Sequence, residues 1–218
     1  MAEKSPLAQM LEELYSTVHQ PYSFRQVWPM LPLFFLRMLS AIGYICSVLG
    51  ILPAEIYSGM DWVINCLTAV CLFLLIPAIS RYRTAAIFMA ASIAIHIFSA
   101  FLGKPTLWEV LAALCVFTSG FFEYTSHAMV ASRQSGRLAD RWDRLFLWAF
   151  GSIFFSAFVF MLSLVLSYMA PVFSLISVLV SYLPDLLVDL LYLIYMGLTL
   201  RLIFQGESTR KKGALNEP

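Results

Sequence analysis

The sequence predicts an all-α membrane protein, a bundle of six transmembrane helices preceded by an amphipathic interfacial helix. The chain of 218 residues is 61% hydrophobic and 12% charged, whereas charged residues make up about a quarter of a typical soluble domain. Thirteen of its fourteen Lys and Arg residues flank the same ends of the long apolar stretches, and only Lys104 flanks the other ends. Because cytoplasmic loops are enriched in Lys and Arg, this asymmetry predicts a multi-pass protein of the cell membrane with both termini in the cytoplasm.

The first 29 residues are predicted to form a cytoplasmic amphipathic segment, with a helix over residues 6–20. One face of this helix carries apolar residues at helical spacing, namely Leu7, Met10, Leu11, Leu14, Tyr15 and Val18. The other face carries Glu12 and Glu13, so attraction to anionic lipid is a poor explanation for the pattern. The helix is therefore expected either to pack beneath the bundle or to dock a partner protein.

Six apolar stretches are long enough to cross a membrane, which takes about 20 residues in a helix. They comprise residues 30–52, 62–80, 84–102, 106–126, 145–169 and 184–204, which together form the predicted transmembrane domain over 30–204. An acidic loop containing Glu55 and Asp61 is expected between the first two spans, and a turn over 81–83 between the next two. Ala86, Ala90 and Ala94 form a ridge of small residues on the third span, which would allow close helix contact.

The end of the chain needs a separate interpretation, because the apolar run over 171–204 is too long for a single crossing. Pro184 is expected to divide it into an outer or re-entrant segment over 172–183 and the sixth span, since proline interrupts helices. Residues 205–218 are expected to form a mobile cytoplasmic tail. The longest cytoplasmic loop is predicted over 133–144, where four arginines alternate with Asp140 and Asp143.

Ionisable residues at membrane depth are costly and mark candidate functional sites. Near the outer face, a rise of ~1.5 Å per residue puts Glu109 about 4 Å deep, Asp189 about 7 Å deep and His96 about 9 Å deep. Asp185 lies at the rim and is four residues from Asp189, so the two carboxylates share a helix face. These four residues are a candidate binding site for a cation or an amine. The alternative is that they are solvated residues at the ends of spans.

A second group of ionisable residues lies near the cytoplasmic face. Arg37 is about 10 Å deep and Glu123 about 5 Å deep by the same helical rise, and the two are predicted to form a structural ion pair. Alternatively, Arg37 extends alone to the interface, or the two residues form a gate or a proton relay. Glu123 and His127 have the spacing of two metal ligands on one helix face, but catalytic zinc normally takes three protein ligands. No metal site and no cofactor are therefore predicted.

Two functions remain compatible with these features. The first is binding or transport of a small solute, for which a cation is the candidate, with the help of partner subunits. In size and topology the chain is similar to the substrate-binding subunits of energy-coupling-factor importers, although that family carries its alanine motif on the first span. The second is a non-transporting scaffold, assembly factor or accessory subunit that meets a protein partner through the N-terminal helix or loop 133–144. The near-neutral net charge of +1 gives no reason to propose nucleic acid, and no catalytic motif supports an enzyme.

Overall fold

The computed structural model describes residues 22–102, 105–167 and 171–215, and the regular structure within these ranges is helical. A short helix, α1 (Phe24–Val27), precedes six long ones: α2 (Met30–Val48), α3 (Ala54–Leu75), α4 (Arg81–Leu102), α5 (Pro105–Ser132), α6 (Gly136–Ser167) and α7 (Pro171–Leu215). Each of the six long helices contains a stretch that is long and apolar enough to cross a membrane. The predicted helix over residues 6–20 lies outside the described residues.

The six long helices form a ring in which each helix packs against the next one in sequence and α7 packs back against α2. The connections over residues 49–53, 76–80 and 133–135 are short, and short connections make consecutive helices antiparallel neighbours. The arginines at the starts of α4 and α6 therefore lie at the same end of the ring, which we call the basic end. The ring encloses an interior that every long helix can reach with one face.

The tightest packing lies toward the basic end. Trp142, Tyr82, Met30 and Leu33 are among the largest side chains that are fully buried, and all four lie in the first turns of their helices there. The segment before α2 closes this end: Phe24 stacks on Phe204 of α7 with ring centroids 4.4 Å apart. Burial of large aromatic side chains supplies most of the packing energy in such a core. The basic end is thus the closed end of the ring.

The connection between α2 and α3 corrects the predicted acidic loop, because Glu55 and Asp61 both lie within α3. Gly50 has a φ of 71°, and the Ile51 N–H donates to the Cys46 carbonyl at 2.8 Å, which is the arrangement of a Schellman motif. Helix α2 therefore ends at the glycine, and α3 begins four residues later. Glu55 then falls in the first turn of α3, where the helix dipole favours a carboxylate.

The arginine-rich loop predicted over 133–144 is instead a turn of three residues between α5 and α6. Helix α6 begins at Gly136, so the later arginines lie on its first turns. On the same turns Leu138, Trp142 and Leu145 are buried, and their spacing of four and three residues is that of one helix face. The start of α6 is therefore an amphipathic helix, although its charge content is typical of a loop. In the same way, α4 already begins at Arg81, and the preceding turn is residues 76–80.

Helix α7 corrects the division predicted at Pro184, since it runs without interruption from Pro171 to Leu215 with the proline inside it. Its 45 residues extend for about 68 Å at ~1.5 Å per residue. Proline removes one backbone hydrogen bond. Transmembrane helices tolerate proline because neighbouring structure satisfies the backbone groups that are freed. Residues 172–183 are thus part of the same helix as the sixth span rather than a separate segment, while the stretch of α7 that is long and apolar enough to cross a membrane, Tyr182–Ser208, lies close to the predicted 184–204. The predicted mobile tail is also helical, as far as Leu215.

Candidate functional site

A buried ion pair joins opposite sides of the ring. Arg37 Nη2 on α2 donates to Glu123 Oε2 on α5 at 2.6 Å, and the Glu123 side chain is only 1% exposed. The hydroxyl of Tyr192 on α7 donates to the other carboxylate oxygen, Oε1, also at 2.6 Å. Both oxygens of Glu123 therefore have a donor, which a buried carboxylate needs to offset its desolvation. The structure thus brings together the two residues that the sequence paired and adds a tyrosine to them.

His127, one turn beyond Glu123, extends this network to α4. Its Nδ1 lies 2.7 Å from the Tyr82 hydroxyl, and its Nε2 lies 3.0 Å from the Tyr192 hydroxyl. Because the Tyr192 hydrogen is directed at Glu123, the Tyr192 oxygen accepts from Nε2–H, and a neutral imidazole then accepts the Tyr82 hydrogen at Nδ1. Each group consequently donates to the next one: Tyr82 to His127, His127 to Tyr192, and Tyr192 to Glu123. Arg37 donates to the other carboxylate oxygen of Glu123.

Trp142 of α6 completes the wall around the imidazole. Its ring centroid lies 4.9 Å from that of His127, and its Nε1 donates to Thr199 Oγ1 on α7 at 3.2 Å. Thr199 passes its own hydrogen to the Tyr195 carbonyl at 2.8 Å. We call the hydrogen-bonded group of Arg37, Tyr82, Glu123, His127 and Tyr192 the polar network. With Trp142 beside it, residues from five of the six long helices meet there.

A cavity of about 190 Å³ lies beside the polar network, between α2, α4, α5 and α7. Its polar and glycine lining includes Arg37, Ser40, Gly120, Tyr124, Asp189 and Tyr192. Arg37 and Tyr192 thus belong both to the network and to the cavity wall. The Asp189 side chain is exposed, and no hydrogen bond to its carboxylate is found among the residues described. An unpaired carboxylate at membrane depth is costly and needs a compensating ligand, proton or solvent.

Two of the other predicted acidic residues lie near Asp189. Asp189 interacts electrostatically with Asp61 and Asp185 as well as with Arg37. Asp61 accepts hydrogen bonds from Ser40 Oγ at 3.1 Å and from Asn65 Nδ2 at 2.9 Å. The interior of the ring beyond the polar network is therefore acidic, and Asp61, which was expected in the loop before the second span, lies on the α3 face that contacts α2.

His96 and Glu109 do not line the interior cavity. His96 is exposed and lines a separate groove of about 470 Å³ between α3 and α4, together with Asp61 and Asn65. Glu109 is exposed on α5 and lines neither space. The four predicted residues thus separate into Asp189 on the cavity wall, Asp185 near it, which accepts a hydrogen bond from Ser156 of α6 at 3.4 Å, a histidine in an outer groove and an exposed glutamate. Counting residues along each span placed the four side chains at similar depths in the membrane. It does not report how each helix is rotated about its axis, and this rotation points the side chains in different directions.

Sequence reasoning missed the roles of Tyr82, Tyr192 and Trp142. A signal was present, since a tyrosine hydroxyl within an apolar helix usually has a hydrogen-bond partner when buried. Glu123 and His127 supplied the other half of the signal by sharing a helix face. Spacing along one helix does not show which tyrosines of other helices face them, however, and ten are available in the chain.

Within the ranges that the structure describes, no three His, Cys, Asp or Glu side chains are close enough together to hold a metal ion. Glu123 and His127 are hydrogen-bonded to tyrosines instead. Comparison with known proteins finds no matching protein-family model, no matching curated protein and no matching solved structure.

Proposed function

We propose that this multi-pass membrane protein binds, and with partner subunits transports, a small solute that carries a cationic amine. The observation that supports the proposal is Asp189, a carboxylate that lines an interior cavity and has no hydrogen-bond donor among the residues described. An ammonium group placed against it would remove the penalty of an unpaired charge at membrane depth. At ~5 Å and an effective dielectric constant of about 20, one such contact contributes about 3 kcal/mol.

The charge balance of the interior favours a cation. Asp61 and Asp185 interact electrostatically with Asp189, so three carboxylates contribute to the local field. The one cation on the cavity wall, Arg37, is largely compensated by its ion pair with Glu123. Around Asp189, three carboxylates thus lie near one guanidinium, and this part of the cavity favours an ammonium group.

The tyrosines around the cavity suit the same ligand. Tyr124 and Tyr192 line it directly, and their rings meet edge to face with centroids 5.5 Å apart. Aromatic faces attract ammonium groups by about 0.5–2 kcal/mol, depending on how well water is excluded. The cavity has the volume of about six water molecules at ~30 Å³ each, so the solute that fits is small.

Binding of simple amines to the purified protein tests the proposal. Isothermal titration and thermal shift with ethylamine, propylamine, isobutylamine and isopentylamine should show binding that Asp189→Asn weakens by about tenfold or more, because a loss of ~1.4 kcal/mol is a factor of ten. Glu109→Gln is the matched control, since it also removes one carboxylate but lies outside the cavity. Equal affinities in the two variants, or no binding of any compound that carries an ammonium group, would refute the proposal.

Gly120 provides a steric test that is independent of charge. A β-carbon there would meet Tyr124 at 3.9 Å, which is ordinary van der Waals contact, so Gly120→Ala adds a methyl group to the cavity wall without a clash. Alanine also favours the helix over glycine by about 1 kcal/mol. The variant should therefore melt at a higher temperature yet bind amines more weakly. Gly59→Ala, where a β-carbon meets nothing within 4 Å, should share the first effect and lack the second.

A second candidate function, a scaffold or accessory subunit, is favoured by one observation. Arg137, Arg141 and Arg144 are all exposed on the first turns of α6, where they could meet an acidic protein partner. The amine titration separates the two functions, since a scaffold has no need of a ligand. If no amine binds and replacement of these three arginines by Gln abolishes a purified complex, the scaffold is the better account.

A further inference from the structure

We infer that the solute carries a carboxylate as well as an amine, so that the cavity takes a small amino acid or a related amino-carboxylate zwitterion. This inference rests on the proposed function and specifies its substrate class. Its basis is that two opposite charges line the same cavity from different helices, Arg37 on α2 and Asp189 on α7. Among the described residues, Arg37 forms its ion pair with Glu123 and not with Asp189.

Arg37 is held in place rather than free to reach Asp189. Glu123 Oε2 holds its Nη2 at 2.6 Å, and Glu123 is itself fixed by the Tyr192 hydroxyl at 2.6 Å. The guanidinium carbon lies 5.7 Å from the centre of the Tyr192 ring. A guanidinium that is anchored at one nitrogen and stacked near a ring presents its remaining donors in a defined plane. That plane is a preorganised binding surface for an anion.

The donors of Arg37 are not exhausted by Glu123. Its side chain is 28% exposed, against 1% for its partner, and it contributes to the cavity wall. A guanidinium has five N–H donors; Nη2 makes the contact with Glu123, and Nε is buried without a hydrogen-bond partner in the described part of the chain, so the donors that a ligand can meet are on the Nη atoms. A ligand that has no hydrogen-bond acceptor would leave the remaining donors of Arg37 unpaired, whereas a carboxylate matches the guanidinium geometry.

The rest of the wall suits a zwitterion of modest size. Tyr124 carries a hydroxyl that can donate or accept, whereas the hydroxyl hydrogens of Ser40 and Tyr192 are directed at Asp61 and Glu123. Val116 and Met89 give the cavity an apolar portion. A ligand whose ammonium meets Asp189 and whose carboxylate meets Arg37 satisfies both fixed charges at once. A plain amine satisfies only the first and gives the remaining Arg37 donors no acceptor. The cavity therefore discriminates by the second charge of its ligand.

The test compares each amine with the amino acid that contains the same amine plus a carboxylate. The pairs are ethylamine with alanine, propylamine with γ-aminobutyrate, isobutylamine with valine, and isopentylamine with leucine. For at least one pair, isothermal titration of the wild-type protein should give about tenfold or tighter binding of the amino acid, since a hydrogen bond to a charged group supports a difference of that size. The methyl ester of that amino acid, which keeps the amine and removes the negative charge, should bind like the plain amine.

Variants connect the preference to the two residues. Arg37→Lys keeps a cation beside Glu123 but removes the planar donors, so it should reduce the ratio of amino-acid to amine affinity while plain amines still bind. Asp189→Asn should weaken both ligands alike. The inference is overturned if amines bind the wild-type protein as tightly as their amino acids, in which case the proposed function stands. If neither class binds, both the proposed function and this inference are wrong.

Discussion

Arg37 and Glu123 are 86 residues apart in the chain and 2.6 Å apart in the structure. Their helices, α2 and α5, are separated around the ring by α3 and α4 on one side and by α6 and α7 on the other. The ion pair therefore crosses the interior of the ring. It fixes α2 and α5 relative to each other, which packing between neighbouring helices cannot do directly. Polar contacts of this kind specify how helices are rotated as well as how they associate.

Loss of the Glu123 charge should destabilise the protein. Glu123→Gln leaves Arg37 as an uncompensated cation, and removing one partner of a buried pair typically costs about 3–5 kcal/mol. The lower part of that range is expected, since Arg37 is partly exposed. Unfolding of the purified protein in mixed detergent measures the change. Glu109→Gln, on the exposed part of the same helix, should alter stability by less than about 0.5 kcal/mol. An equal effect of the two substitutions would show that the pair is not stabilising.

The two network tyrosines should differ in importance. Tyr192→Phe removes a donor to Glu123 and an acceptor from His127, and each unsatisfied buried group costs about 1–3 kcal/mol. Tyr82→Phe leaves only the Nδ1 of His127 unsatisfied and should have about half the effect.

The same unfolding measurement ranks these variants. Tyr195→Phe is the matched control on α7, because its hydroxyl makes no hydrogen bond within the described residues and its loss should change little. A larger effect of Tyr82→Phe than of Tyr192→Phe would contradict the direction assigned to the network.

Removal of the proline inside α7 should stabilise the helix. Pro184→Ala restores a backbone N–H, and proline in a helix interior is up to about 3 kcal/mol less favourable than alanine. A higher melting temperature with unchanged helix content by circular dichroism is the expected result. Pro53→Ala provides the comparison, since Pro53 precedes the first turn of α3, where the missing N–H is not needed. A lower melting temperature of Pro184→Ala would show that the proline is required for packing against α6.

The charge asymmetry predicts which end of the ring lies inside the cell. After replacement of the four native cysteines, a single cysteine introduced as Ile51→Cys should react with a membrane-impermeant maleimide on intact cells, because Ile51 is 70% exposed and lies at the end of the ring opposite the basic end. Arg137→Cys, at the basic end, should react only after the membrane is permeabilised. The opposite pattern of labelling would place the basic end outside and contradict the assignment.

Hydropathy located the six helices but misjudged where several of them begin and end. Residues 133–144 illustrate the reason. Their charge content suggested a loop, yet Leu138, Trp142 and Leu145 recur at helical spacing and are buried. A hydropathy average over about 19 residues reports the interior of a span well. It does not report an amphipathic extension of the same helix beyond the membrane, and α7 beyond Phe204 was misread for a similar reason.

The sequence by itself determined what is local or summed along the chain: the number of apolar helices, the asymmetry of positive charge and the candidate partnership of Arg37 with Glu123, whose charges both demand a counter-ion at membrane depth. The tertiary structure decided how each helix is rotated about its axis. That rotation brings Tyr82 and Tyr192 to His127, turns Asp189 to the cavity and turns Glu109 away from it. The physical reason is that a charge at membrane depth is costly, so the need of a charged residue for a partner can be read from one segment of the sequence. Which residue becomes the partner depends on which faces of distant helices meet.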